Sequence, residues 1–217
     1  MKPIVGISCL YYKWKNLPEA FERCASEFGL DAIEFSYSKA VCNTDLSLIE
    51  KLNKRYHLKL SLHVWDDMPN LGEKIGYQKM LDSLDVCRKM GASSLTIHLG
   101  THPDKEEGLR IAAGVFGRSA ILYEKSHIDI CLENHYPYDY KNMNDLGGTL
   151  SEFLFIFNKV CSPALKFCLD YGHANMSNNT LEFIQKLHPY LGLVHIADNH
   201  GLADEHLPWP QVLPGII

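Results

Sequence analysis

The stretch Leu165-Lys166-Phe167-Cys168-Leu169-Asp170-Tyr171-Gly172-His173 reads as a short apolar strand that ends on an aspartate, with a histidine three residues further on. A buried parallel strand written this way delivers two metal-type ligands to one end of a sheet. The pattern recurs in four other places. Leu58 to Leu62 runs into His63, Ser94 to Ile97 into His98, Ile128 to Leu132 into Glu133, and Leu191 to Val194 into His195.

Outward from these runs, strand and helix signals alternate along the chain. Ile4 to Ser8 and Ala32 to Phe35 read as two earlier strands. Asn16 and Pro18 open a helix that stops at Gly29, Thr44 caps one that reaches about Tyr56, and an amphipathic pattern from Glu73 to Met90 closes at Gly91. A helix from about Asp104 to Ser126 contains Gly108, Gly114 and Gly117, which weaken the case for its continuity. The stretch Asn134 to Gly148 reads as a loop over a site, Thr149 with Glu152 as a capping box for a helix to about Val160, and Asn179 to Leu187 as a further helix. Seven β-α units in register imply right-handed crossovers and a parallel sheet, and their number points to a TIM (β/α)8-type barrel in one domain, residues 1–217. In such a barrel the active site lies at the C-terminal ends of the strands, where all the candidate ligands fall.

Composition narrows the class. With 46% hydrophobic and 22% charged residues the chain is ordinary for a globular protein, and no apolar run approaches the ~20 residues of a membrane helix. A net charge of −5 offers no basic stripe for nucleic acid, which makes a nucleic-acid partner an unfavoured expectation. Seven cysteines without a C-x-x-C pair read as free thiols in a reducing cytoplasm, and the N-terminus shows no signal-peptide pattern.

A lone histidine at a strand end is more often packed in a core than bound to metal. Here eight candidates share one end of the sheet: His63, His98, Glu133, Asp170, His173, His195, Asp204 and His206. Buried acids there are costly unless paired or metal-bound. The mixture of imidazole and carboxylate without cysteine fits a divalent cation, zinc or manganese foremost. Glu34 and Asn134 are candidate substrate contacts, and Trp65, Tyr136, Tyr138 and Tyr140 candidate walls of a sugar pocket. His102, His135 and His200 read as surface or supporting residues.

These motifs, with Val194-His195-Ile196-Ala197-Asp198-Asn199-His200-Gly201 and Asp204-Glu205-His206-Leu207-Pro208, resemble the xylose-isomerase-like TIM-barrel superfamily over essentially the whole chain. Two sets of expectations follow from the resemblance. In its sugar isomerase and epimerase branch Glu133, Asp170 and His195, with a glutamate on the eighth strand, would hold the metal. His173 would bind substrate, and Glu133, a catalytic residue, would be paired with the eighth-strand glutamate to move a proton between adjacent carbons. In its family-2 apurinic endonuclease branch His63, His98 and Glu133 would hold one zinc, Glu133, Asp170, His195 and the eighth-strand glutamate a second, and His173, Asp204 and His206 a third.

Measured against that family the sequence stops at Ile217, before an eighth strand and helix. The open strand edges would then be covered by the C-terminal segment or by a second copy of the chain, a possible homodimer. The leading expectation is a metal-dependent isomerase or epimerase acting on a sugar or sugar phosphate. The alternatives are a zinc-dependent phosphodiesterase of the apurinic-endonuclease type and a non-catalytic metal- or sugar-binding relative.

Overall fold

Strands that end on polar residues still need an apolar face to hold them, and side-chain alternation supplies it. The computed structural model describes residues 3–8, 17–36, 45–136 and 142–207. The chain begins with β1 (Gly6–Ser8), α1 (Leu17–Glu22), β2 (Ala32–Ser36), α2 (Leu46–Tyr56) and β3 (Lys59–Val64). It continues through α3 (Met68–Leu71), α4 (Glu73–Met90), β4 (Ser94–His98), β5 (Gly100–His102), α5 (Lys105–Lys125) and β6 (Asp129–Glu133). Next come β7 (Asn144–Leu146), α6 (Leu150–Val160), β8 (Leu165–Asp170), α7 (Tyr171–Met176), α8 (Thr180–Leu187) and β9 (Leu191–His195).

Seven strands pair in the order β1-β2-β3-β4-β6-β8-β9, every pair parallel, as the β-α alternation requires. The sheet curls so far that His195 on the last strand comes within 3.0 Å of Glu34 on the second. Among the described residues this is a curled, seven-stranded α/β barrel sheet with β1 and β9 as its edges. Leu60, Leu62, Leu95, Ile97, Ile130, Leu132 and Phe167 form the outward row under the helices and are at most 1% exposed. Burying a side chain of this size stabilises by roughly 1.5–3 kcal/mol. The alternate residues Glu34, Ser61, His63, Thr96, Glu133 and Cys168 turn inward, so the lumen is lined by polar groups.

Edge-on aromatic contacts tie the last helices to the sheet: Phe153 on α6, Phe167 on β8 and Phe183 on α8 have ring centroids 5.0–5.7 Å apart. Glu152, buried at the start of α6, accepts hydrogen bonds from the N–H groups of Gly147 and Thr149 and pairs with Lys105. The capping-box expectation therefore holds, and the same carboxylate also fixes the end of the preceding loop.

Several local expectations are corrected. α2 begins at an Asp45 cap whose carboxylate accepts from the Ser47 N–H; Thr44, like Asn16, lies outside the described residues. After α1 the chain continues in a π-helical turn, Arg23–Glu27, before Gly29. The loop after β6 carries β7, which pairs antiparallel with β5, and Asp170 is followed at once by the short helix α7. Both pieces are too short for a periodic sequence signal. Tyr138 and Tyr140 fall outside the described residues.

α5 is continuous over its 21 residues, and close packing accounts for one of its glycines. A Cβ on Gly108 would lie 2.5 Å from the Cβ of His102 and 2.9 Å from Leu146 Cδ1, so β5 and β7 pack directly on the helix backbone. At Gly117 the nearest atom would be Val160 Cγ2 at 3.8 Å. Gly108→Ala should therefore destabilise the protein by about 1–3 kcal/mol through overpacking. Gly117→Ala should stabilise it by about 0.5–1 kcal/mol through helix propensity, and urea unfolding of the two variants reads the opposite signs.

Candidate metal centre

The strand ends converge on one carboxylate. Glu133 closes β6, the fifth of the seven strands across the sheet, and is 2% exposed. His63 near the end of β3 places Nε2 2.8 Å from its Oε2, and His195 at the end of β9 places Nδ1 2.8 Å from its Oε1. His98 at the end of β4 adds Nε2 at 3.3 Å from Oε2. His173, on α7, lies 4.0 Å from Oε1 through Nδ1. Asp170 is adjacent but looser, with Oδ2 3.9 Å from His195 Nδ1.

Burial alone would raise the carboxyl of Glu133, but His195, His98 and His63 outweigh it and hold the group well below the usual carboxylate range. His98 goes the other way: burial lowers it to about 3 despite Glu133, so it is a neutral imidazole. Asp170 is raised to about 6 by burial and by the charge of Glu133. For His173 burial is again opposed, here by Asp204, Asp170 and Glu133, and the imidazole rises to about 9.

A second layer orients these groups. Asn134 accepts from the Asp170 N–H at 2.7 Å and donates to the Asp170 carbonyl at 3.0 Å, which locks the ends of β6 and β8 together. Its amide is thus turned to the backbone, in the orienting role, and the expected substrate contact is not what this geometry offers. Asp170 caps α7 by accepting from the His173 N–H at 2.7 Å, and His173 donates Nδ1–H to the Asn134 carbonyl at 2.9 Å. His173 Nε2 then faces Asp204 at 3.5 Å, and Asp204 also receives His206 Nε2 at 2.9 Å. The loop carrying this pair is closed by a bridge between Asp198 and Leu207, and the buried Asn199 donates to the Gly172 carbonyl.

All eight expected ligands therefore share one end of the sheet, but in two tiers. Among the described residues, His63, Glu133 and His195 form one compact donor group and His98, Glu133 and His173 another, the ligand atoms of each within 4.8 Å of one another. Asp170, Asp204 and His206 lie outside both groups. Trp65 stands at the mouth, half exposed, with its ring 4.8 Å from that of His63. Glu34 lies deeper in the lumen than a rim residue and is 6% exposed. His200 is exposed and paired with Glu205.

Asp145, Ser61 and Thr96 are not marked by the sequence, whereas His135, read there as a surface or supporting residue, stands in the supporting place. His135 packs edge-on against His98 and His173 with centroids 4.8 and 5.2 Å away and pairs with Asp145 of β7 at 3.2 Å. The pairing of β5 with β7 brings Asp145 there, and no spacing signal announces it. Ser61 and Thr96, by contrast, sit two residues before His63 and His98 on the same inward rows, so the two-residue period could have marked them.

The donor set suits a divalent cation. His98 Nε2 is buried and has no hydrogen-bond partner, although it faces a carboxylate, which leaves a nitrogen that a cation could engage. Nitrogen and oxygen donors in this mixture fit zinc or manganese. The described cysteines add no ligand to either donor group, and Cys131 and Cys168 stay protonated thiols because burial raises them.

Known proteins share this architecture. The uncharacterized protein Rv0498 of Mycobacterium tuberculosis is 25% identical over 229 residues, covering 94% of this chain and 78% of that protein. The uncharacterized protein MJ1311 of Methanocaldococcus jannaschii is 25% identical over 218 residues, 93% and 73% of the two chains. Among solved structures, a D-tagatose 3-epimerase-like protein superposes with a TM-score of 0.80 at 24% identity, covering 95% of this chain and 80% of that one. The 3-keto-D-glucoside 4-epimerase of E. coli gives 0.75 at 18%, with coverage of 92% and 80%. A D-psicose 3-epimerase crystallised in the presence of D-fructose gives 0.74 at 19%, with coverage of 89% and 72%. Likeness at these identities establishes the fold. The profile of the family described as xylose isomerase-like TIM barrel matches residues 22–214, nearly the whole chain, and the protein belongs to that family.

Proposed function

We propose that the protein is a divalent-cation-dependent isomerase or epimerase of a sugar or sugar phosphate, moving a proton at a carbon next to a carbonyl. The observation that carries the reading is Glu133: a buried, ionised carboxylate with an imidazole nitrogen 2.8 Å from each oxygen, shared by two donor groups. The epimerase names of the structural neighbours support the same reaction class.

In this reading Glu133, His195 and Asp170 hold the cation, and His63, His98, His173, Asp204 and His206 complete or extend the site. A bound divalent ion polarises the substrate carbonyl and so acidifies the neighbouring C–H. Glu133 takes that proton on a carboxylate oxygen, for which its ionised state at neutral pH is the requirement. His173, protonated at neutral pH and anchored through Nδ1–H on the Asn134 carbonyl, turns Nε2–H to Asp204, a pair that a substrate oxygen could join or displace. Trp65 offers an apolar face to a sugar ring at the entrance.

A second reading, a phosphodiesterase with two or three zinc ions, draws on the second donor group around His98 and on the Asp204–His206 pair. About three zinc ions per chain with cleavage of abasic DNA would favour it. One bound ion with activity on ketoses would favour the isomerase.

The reaction is tested by incubating protein and Mn²⁺ with a panel of ketoses and their phosphates in D₂O and following loss of the proton signal beside the carbonyl. Exchange is expected for at least one sugar, with Glu133→Gln slowing it by about 10²–10⁴-fold. No exchange with any member of the panel would sink the proposal. Cation dependence has its own readout: relative to chelator-stripped protein, a cation at one hundred times its Kd should stabilise by about 2.7 kcal/mol. For a chain of this length that raises Tm by roughly 5–10 °C in a thermal melt.

A further inference from the structure

Below Glu133 the lumen holds a second buried carboxylate, Glu34 on β2. Three hydroxyls fix it. Ser8 donates to Oε1 at 3.0 Å, while Ser61 and Thr96 donate to Oε2 at 3.1 and 2.9 Å. The remaining contact of Oε1 is His195 Nε2 at 3.0 Å, an ion pair whose angle falls short of hydrogen-bond geometry. With both oxygens engaged, Glu34 has no free face for a sugar. His195 is thus held between two carboxylates, Glu34 at Nε2 and Glu133 at Nδ1.

An imidazole can ligate a cation only through a nitrogen without a proton, and which nitrogen that is depends on what the other one faces. We propose that Glu34 is the positioning residue of the metal centre. With its carboxylate 3.0 Å from Nε2 it favours the proton on that nitrogen, and so the tautomer that presents the Nδ1 lone pair to a cation at Glu133. The three hydroxyls fix Glu34 in turn, so the arrangement is carried by four strands of the sheet, β1 to β4. This inference rests on the metal reading above and adds to it the origin of the ligand's orientation.

Glu34→Gln separates the two claims. Ser61 and Thr96 keep the amide oxygen on their side, so the NH₂ group faces His195 and donates to Nε2. The imidazole proton is then driven to Nδ1, the nitrogen the cation needs. Titration calorimetry of stripped protein with Zn²⁺ should give the wild-type stoichiometry but an affinity weaker by roughly 10–100-fold. Thr96→Val, which removes one anchor of Glu34, should give a smaller loss, and Glu34→Asp should recover part of the lost affinity. Long-range ¹H–¹⁵N NMR of the Zn²⁺-loaded wild type provides a readout that needs no variant: His195 should carry its proton on Nε2. Unchanged Zn²⁺ affinity in Glu34→Gln, or a proton on Nδ1 in the loaded wild type, would overturn the role of Glu34 alone. Wild-type protein that takes up no Zn²⁺ would overturn the metal reading itself.

Discussion

An ionised carboxylate shut away from water has to be met by charge or by donors, and the interior of this protein is arranged around that requirement at Glu133. Desolvating a carboxylate costs several kcal/mol even after relaxation. The cost is offset by two imidazoles hydrogen-bonded to its oxygens and delivered from strands far apart in sequence, at positions 63 and 195. Those strands have to be parallel, in register and curled for their ends to meet, so the electrostatics of the centre and the topology of the sheet are one constraint.

The same curling explains the sorting of side chains. Each strand sends an apolar row under the helices and a polar row into the lumen, and close packing on the outer face keeps the inner groups in place. Phe153, Phe167 and Phe183 pin the end of β8, from which Asp170 and then His173 project. Asn134 links that end to β6 through two hydrogen bonds to the Asp170 backbone. The ends of β6 and β8 are therefore joined through the backbone, beside the direct contacts of His63 and His195 with Glu133.

The histidines do not share one electrostatic role. His98 is neutral with an unpartnered nitrogen, His195 is flanked by two carboxylates, and His173 is charged and set between the Asn134 carbonyl and Asp204. Environments that push like groups apart are how a single site divides binding from proton handling. Family membership sets the architecture in which this happens, and the reaction follows from the residues at the strand ends.

By itself the sequence determined the parallel β-α order, the long helix Glu73–Met90, the capping box at Thr149 and the strand ends on which the candidate ligands stand. Each of these is written in local periodicity or in the chemistry of a few adjacent residues. It could not determine that Glu34 lies beneath His195, that Asn134 turns to the backbone, or that β5 and β7 carry Asp145 to His135. Nor could it tell that Gly108 is a packing contact and not a break. Those facts depend on pairs tens of residues apart, whose distance is set only when the sheet curls and the two-residue alternation of one strand is brought into register with that of another.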